Sequence, residues 1–186
     1  MPIAAFRRGH PDHGRGVAVR LAAASLLMLA SPACAQIAPE APPAAAEACK
    51  QDFLPLTGRI VDEADLLNPV EENHLGQSLA ALEDRTKHQF VVVTVKSLQG
   101  KAIDEYSLCL ANHWGIGRKD VDDGVMLLVA PNERKVRIDV GVGLETVLTD
   151  AESQTIMEGK IIPAFKDGQM ARGIEDGATA IIREVS

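Results

Sequence analysis

Apolar residues along this chain come in two rhythms, and the rhythms alternate. "HQFVVVTV" (His88 to Val95) and "VMLLVA" (Val125 to Ala130) are unbroken, β-branched or aliphatic runs, the signature of strands covered on both faces. Between them, Tyr106, Leu110 and Trp114 recur four residues apart, which predicts a helix over Ile103 to Trp114. Upstream, Leu75, Leu79 and Leu82 keep helical spacing behind Asn68-Pro69-Val70-Glu71. Asn68 suits a cap, Pro69 the first helical position, and Glu71 completes a capping box, so this helix should reach about Arg85.

"TGRIVDEADLL" (Thr57 to Leu67) reads as a short strand running into a loop. "KVRIDVG" alternates after a turn at Pro131 to Arg134: Val136, Ile138 and Val140 point one way, Lys135, Arg137 and Asp139 the other. Thr149 with Glu152 repeats the capping box ahead of a helix to about Ile161. Pro163 and Gly168 then punctuate, and a last helix spans about Met170 to Val185. The order β-α-β-α-β-β-α-α, without internal repeats, implies one α/β domain: a three-layer α/β/α sandwich around a mixed sheet of about four strands.

The first 35 residues have a different character. Arg7, Arg8, Arg15 and Arg20 precede "LAAASLLMLA" (Leu21 to Ala30), too short to span a bilayer comfortably, and "ACA" ahead of Gln36 offers a cleavage site after Ala35. A signal peptide over 1–35 is therefore expected, with a lipoprotein anchored at Cys34 as the alternative. Residues 36–53 form an Ala/Pro-rich linker, and the folded domain occupies 54–186. Cleavage removes four of 19 basic and one of 26 acidic residues, leaving a net charge near −10. Such a balance attracts neither nucleic acid nor an anionic membrane. No transmembrane anchor is expected in the mature chain, which points to a periplasmic or secreted protein. The cysteines then remaining, Cys49 and Cys109, either pair in an oxidising compartment or stay apart with Cys109 as a small buried apolar residue; spacing alone does not choose.

Familiar catalytic patterns fail one by one. "VGVGLETVLTD" (Val140 to Asp150) lacks the third glycine of a dinucleotide fingerprint, since Thr146 stands at that place, and Glu145 repels pyrophosphate. Asp120, Asp122, Asp123 and Gly124 miss the calcium-loop pattern, with Pro131 where its glutamate belongs. Ser78 lies mid-helix, and His74, His88 and His113 sit on separate elements without ligand spacing, which suits surface or capping roles. No catalytic residue is assigned. What remains are acids at loop ends: Asp62 after the first strand, Asp122 and Asp123 before the third, Glu145 and Asp150 after the fourth. Gathered at one rim, these carboxylates would repel each other unless a hard cation, Ca²⁺ or Mg²⁺, sat among them, with carbonyls of Gly141 and Gly143 as further ligands. The alternative is that Asp62 and Asp150 cap turns or helices while Asp122 and Asp123 are solvated.

Three stretches, "TGRIVDEADLLNP", "FVVVTVKSLQGKAIDEYSLCLANHWGIGRKDVDDGVMLLVAPNERKVRIDVGVGLETVLTDAES" and "IIPAFKDGQMARGIEDGATAII", resemble the TPM domain family in order and over nearly all of Leu56 to Ile182. That family comprises exported α/β domains, among them bacterial envelope proteins and thylakoid-lumen proteins linked to photosystem II repair. The resemblance implies a divalent-cation site at the acidic loops, with Asp62, the Asp122-Asp123-Gly124 turn and Glu145 as ligands by match and Asp150 as a weaker fit. Asp123 stands where many relatives carry Asn. The resemblance also implies one of two roles. The first is an accessory module in membrane-protein assembly, repair or quality control in the cell envelope, partnered by a membrane protein or complex. The second is a metal-dependent, acid phosphatase-like hydrolase of phosphate monoesters. Against the second stands the shortage of cations near the loops, where only Arg59, Arg118 and Lys119 are found.

Overall fold

A computed structural model of the protein describes residue 49 and residues 52–186. The first half of the fold runs β1 (Ile60–Asp62), α1 (Pro69–Thr86), β2 (Gln89–Thr94), α2 (Ile103–Trp114), β3 (Gly124–Ala130) and β4 (Lys135–Val140). A 3-10 turn (Val142–Leu144) leads to α3 (Asp150–Ile156), a π-helical turn (Met157–Ile161), α4 (Ile162–Lys166) and α5 (Met170–Glu184). The expected signal segment and most of the linker lie outside the described residues.

The strands form one sheet in the order β1-β2-β3-β4. β1, β2 and β3 are mutually parallel, whereas β4 returns antiparallel to β3 through the tight turn at 131–134. The sheet is therefore mixed and four-stranded, as the sequence pattern implies. β3 is buried along its whole length and β2 along all but its first residue, in keeping with helices on both faces. On one face α1, α3, the π-helical turn and α5 bury Leu79, Leu82, Ile156, Ile161, Ile174 and Ile181 against Phe90, Val92, Leu127 and Ile138. On the other, α2 buries Tyr106, Leu110 and Ala111 against Val91, Val93, Met126 and Leu128.

Helix α1 carries the predicted cap in full. Asn68 Oδ1 accepts from the Val70 and Glu71 amides, and the Glu71 carboxylate accepts from the Asn68 amide. The region after α3 departs from expectation. Instead of stopping at about Ile161, the chain passes through the π-helical turn into α4. Pro163 does not break it, because the residue lies in the first turn of α4, where a missing amide hydrogen costs little.

Cys49 and Cys109 are joined, with Cα atoms 5.2 Å apart, which fastens the segment before the domain to α2. The neighbouring chain follows: Phe53 meets Tyr106 edge-on at 5.5 Å, and the Trp114 indole N–H donates to the Leu54 carbonyl at 2.7 Å. The bond closes a loop with a sequence separation of 60 residues. Removing it with Cys49→Ser and Cys109→Ser should lower unfolding stability by up to about 4 kcal/mol by the loop-closure argument. Denaturant melts of the two single variants and the double should agree with one another, and unchanged midpoints would show the bond to be idle.

Candidate functional site

The acidic loops do not share one rim. Asp62 pairs with Thr94 at the C-terminal ends of β1 and β2. The turn at Asp122-Asp123 enters β3 opposite Gln89, the first residue of β2, and Gly141 leaves β4 beside Gly124. Five residue steps along β2 therefore separate Asp62 from the other acids, roughly 16 Å at a strand's rise. A crossover helix separates the end of each parallel strand from the start of the next, so acids just after β1 and just before β3 must lie at opposite ends. The expectation of one five-carboxylate rim is corrected on this point.

At its own end, Asp62 is spent on the fold. Its carboxylate accepts from the Leu66 amide at 3.1 Å, the Leu67 amide at 2.8 Å and the Thr94 hydroxyl, and so closes the loop between β1 and α1. The capping alternative describes Asp62.

Asp123 is fully buried, contrary to the expectation of a solvated or metal-bound carboxylate. One oxygen accepts from the Arg118 amide at 2.8 Å. The other accepts from Arg118 Nε and Nη2, at 2.8 and 2.6 Å, and meets His88 Nδ1 at 2.9 Å. Burial alone would raise its pKa, but the hydrogen bonds from Arg118 and His88 outweigh it and hold the carboxyl at about 2, from an ordinary 3.8. The Asp123 carbonyl also accepts from the Gln89 amide, while Gln89 Oε1 accepts from the Gly117 amide. One buried charge thus ties the start of β2, the loop after α2 and the start of β3. No spacing along the chain marks His88 for this role, because it meets Asp123 only once β2 and β3 are paired.

Asp122 takes a left-handed backbone conformation, φ 52°, and turns its groups toward the glycine stretch Gly141 to Gly143. Its carbonyl accepts from the Gly143 amide at 2.9 Å, and its carboxylate from the Val142 amide at 3.3 Å. The glycines are there for clearance. A Cβ on Gly141 would stand 2.1 Å from the Asp122 carbonyl oxygen, and one on Gly143 2.1 Å from that of Val121. Amide hydrogens, not the expected carbonyl oxygens, point across this contact.

Glu145 and Asp150 remain. Glu145 is half-buried after the 3-10 turn and Asp150 exposed in the first turn of α3. Asp150 is not the cap: Thr149 accepts from the Glu152 amide, and Glu152 reaches back to the Thr149 amide. Neither Glu145 nor Asp150 has a side-chain partner among the described residues. Both border a groove of about 710 Å³ that follows β4, between Ile103 and Leu108 of α2 and Ser153 and Gln154 of α3. Inside it Arg137 donates to Asp139 at 2.7 Å. Among the described residues, no group of three or more His, Cys, Asp or Glu is placed to hold a metal ion. The donor set does not fit a cation caged by the five expected carboxylates, since Asp62 and Asp123 have both oxygens engaged, Asp122 accepts from the Val142 amide, and Asp62 stands at the far end of the sheet.

A mixed α/β/α sandwich with a tied loop at the head of β3 and a groove along its edge strand defines the class; the relatives supply the family. The TPM domain family model matches residues 60–184. The N-terminal domain of a protein from P. gingivalis, solved in solution, is 31% identical over 69% of this chain and 82% of that one, with a TM-score of 0.65. The chain belongs to the TPM domain family. The BA42 protein of Bizionia argentinensis shares the fold at 19% identity, 66% and 83% coverage and a TM-score of 0.58. So does the N-terminal domain of the cg2496 protein of Corynebacterium glutamicum, at 14% identity, 73% and 85% coverage and 0.55. No curated protein matches the chain.

The depressed Asp123 pKa links stability to pH. Because the folded value lies below the unfolded one, its contribution is complete above about pH 4 and is lost as pH falls toward 2. Asp123→Asn should therefore cost on the order of 2 kcal/mol at neutral pH, with the gap from wild type closing between pH 4 and 2 in urea melts. Gly141→Ala should cost about 3 kcal/mol by overpacking, read as an earlier denaturant midpoint at unchanged slope. A neutral outcome would show that the two loops do not touch as described.

Proposed function

We propose that this chain is an exported binding module of the cell envelope, which holds part of a membrane protein or complex during assembly, repair or quality control. One observation carries this reading: the groups that chemistry would need are already committed to the fold. Asp62 and Asp123 hold loops, Arg118 is taken by Asp123, and Arg59 pairs with Glu83 at 2.7 Å. A phosphoryl group would find neither of those arginines free as a clamp and, among the described residues, no nucleophile beside a base. Val121, Val142 and Val147, on loops at the Asp123 end of the sheet, stand 43%, 49% and 45% exposed and offer apolar side chains for contact with another molecule. The Cys49–Cys109 bond accords with an oxidising compartment, periplasmic or extracellular.

A divalent cation, Ca²⁺ or Mg²⁺, enters this reading as a modest ligand. Glu145 and Asp150 would hold it at the rim of the groove, with water completing the shell, and its chemistry there would be charge neutralisation. The phosphatase-like alternative gains no observation of its own.

Purified protein should turn over p-nitrophenyl phosphate no faster with Mg²⁺ or Ca²⁺ than without, and no faster than Asp62→Ala or Glu145→Ala. Added Ca²⁺ should raise the melting midpoint of wild type slightly and leave that of a Glu145→Gln/Asp150→Asn double variant where it is. Metal-dependent turnover abolished by both alanine variants would replace the binding module with an enzyme.

A further inference from the structure

β4 is an edge strand, and which of its backbone groups are free follows from its register. Gly141 donates to the Gly124 carbonyl at 2.7 Å, so Gly124 and Gly141 form a hydrogen-bonded pair. In an antiparallel ladder such pairs alternate, which makes Met126/Asp139, Leu128/Arg137 and Ala130/Lys135 the bonded pairs and turns the N–H and C=O groups of Val136, Ile138 and Val140 away from β3. These groups look into the groove, which all three residues line.

An exposed row of this kind invites another strand, and proteins commonly blunt it with charge, bulges or a covering element. Here no described strand pairs with the outer side of β4. Helix α2 walls the groove on one face of the sheet, and α3 with Met157 walls it on the other. The strand edge forms the floor, about 20 Å long for six residues. A wall on each side selects a single extended chain and obstructs a second copy, whose β4 would be equally recessed. The chain's own Gln36 to Lys50 is a poor occupant: three prolines supply no amide hydrogens, and Glu40 and Glu47 bring negative charge. At the Val140 end the groove presents Glu145 and Asp150, whereas Arg137 is neutralised by Asp139. The complement is basic.

We propose that the free edge of β4 accepts an extended polypeptide segment of a partner protein, adding a fifth strand to the sheet, with a lysine or arginine of that segment taking the cation's place against Glu145 and Asp150. This rests on the binding-module reading and names the chemistry of the bound partner. Main-chain hydrogen bonds to Val136, Ile138 and Val140 supply the attachment, and the acids supply the preference among segments.

The test uses acetylated hexapeptides that alternate valine with lysine, a charge-reversed set with glutamate, and a lysine set N-methylated at alternate residues, all titrated in EDTA. Amide hydrogen exchange read by NMR should slow about tenfold at Val136, Ile138 and Val140 with the lysine peptide. Affinity should fall about tenfold or more with the glutamate peptide and in the Glu145→Gln/Asp150→Asn variant. N-methylation should abolish binding. Unchanged exchange at the three amides, or equal binding of the N-methylated peptide, would overturn the proposal. So would a dimer in sedimentation with those amides already protected, which would give the edge to a second copy. Because EDTA removes the cation and no hydrolysis is read, failure here leaves the broader reading to its own experiment.

Discussion

The head of this sheet depends on one buried anion. A carboxylate with no solvent contact must be neutralised or fully hydrogen-bonded, or it takes up a proton. Asp123 is held by the guanidinium and the backbone amide of Arg118, five residues before it, and by an imidazole nitrogen of His88, 35 residues before it. That arrangement sets the path from α2 into β3, and the path sets Asp122, whose left-handed turn meets the amides of Val142 and Gly143. The glycine contact in turn determines where the chain leaves β4, and hence where Glu145 and Asp150 stand beside the groove. The acids that look chemical in sequence divide into those that build this frame and those that the frame presents.

Much of the frame is legible without coordinates. Helix α2 falls on its expected bounds because Tyr106, Leu110 and Trp114 mark one face, and α1 because its capping box is local. Buried parallel strands announce themselves as unbroken apolar runs. The passage from α3 to α5 is less legible: Pro163 is a helix breaker in most interior settings, but a π-helical turn ahead of it absorbs the missing hydrogen bond and a new helix begins.

The candidate site was legible as a set of residues and not as a place. Loop acids are visible by their spacing to strands, yet which end of the sheet each loop occupies depends on strand direction. Asp62 ends a parallel strand while Asp122 and Asp123 begin one, and this sends them to opposite ends. The partnership of Arg118, Asp123 and His88 joins positions 35 residues apart through strand pairing, which no local pattern encodes. Likewise the free edge of β4 is a property of sheet order. Its alternating sequence, "KVRIDV", reads the same at an edge as in the middle of a sheet.

The chain has the fold of its family, its own sheet ends on an antiparallel strand, and its chemistry lies in how it disposes of its acids. The most direct measurement is the titration of the Asp123 carboxyl carbon by NMR across the acid range. A midpoint at about 2 is expected if Arg118 and His88 clamp the anion as described. A midpoint at or above the ordinary 3.8 would contradict the account, for it would mean that this carboxylate is not held by the fold and is open to other ligands.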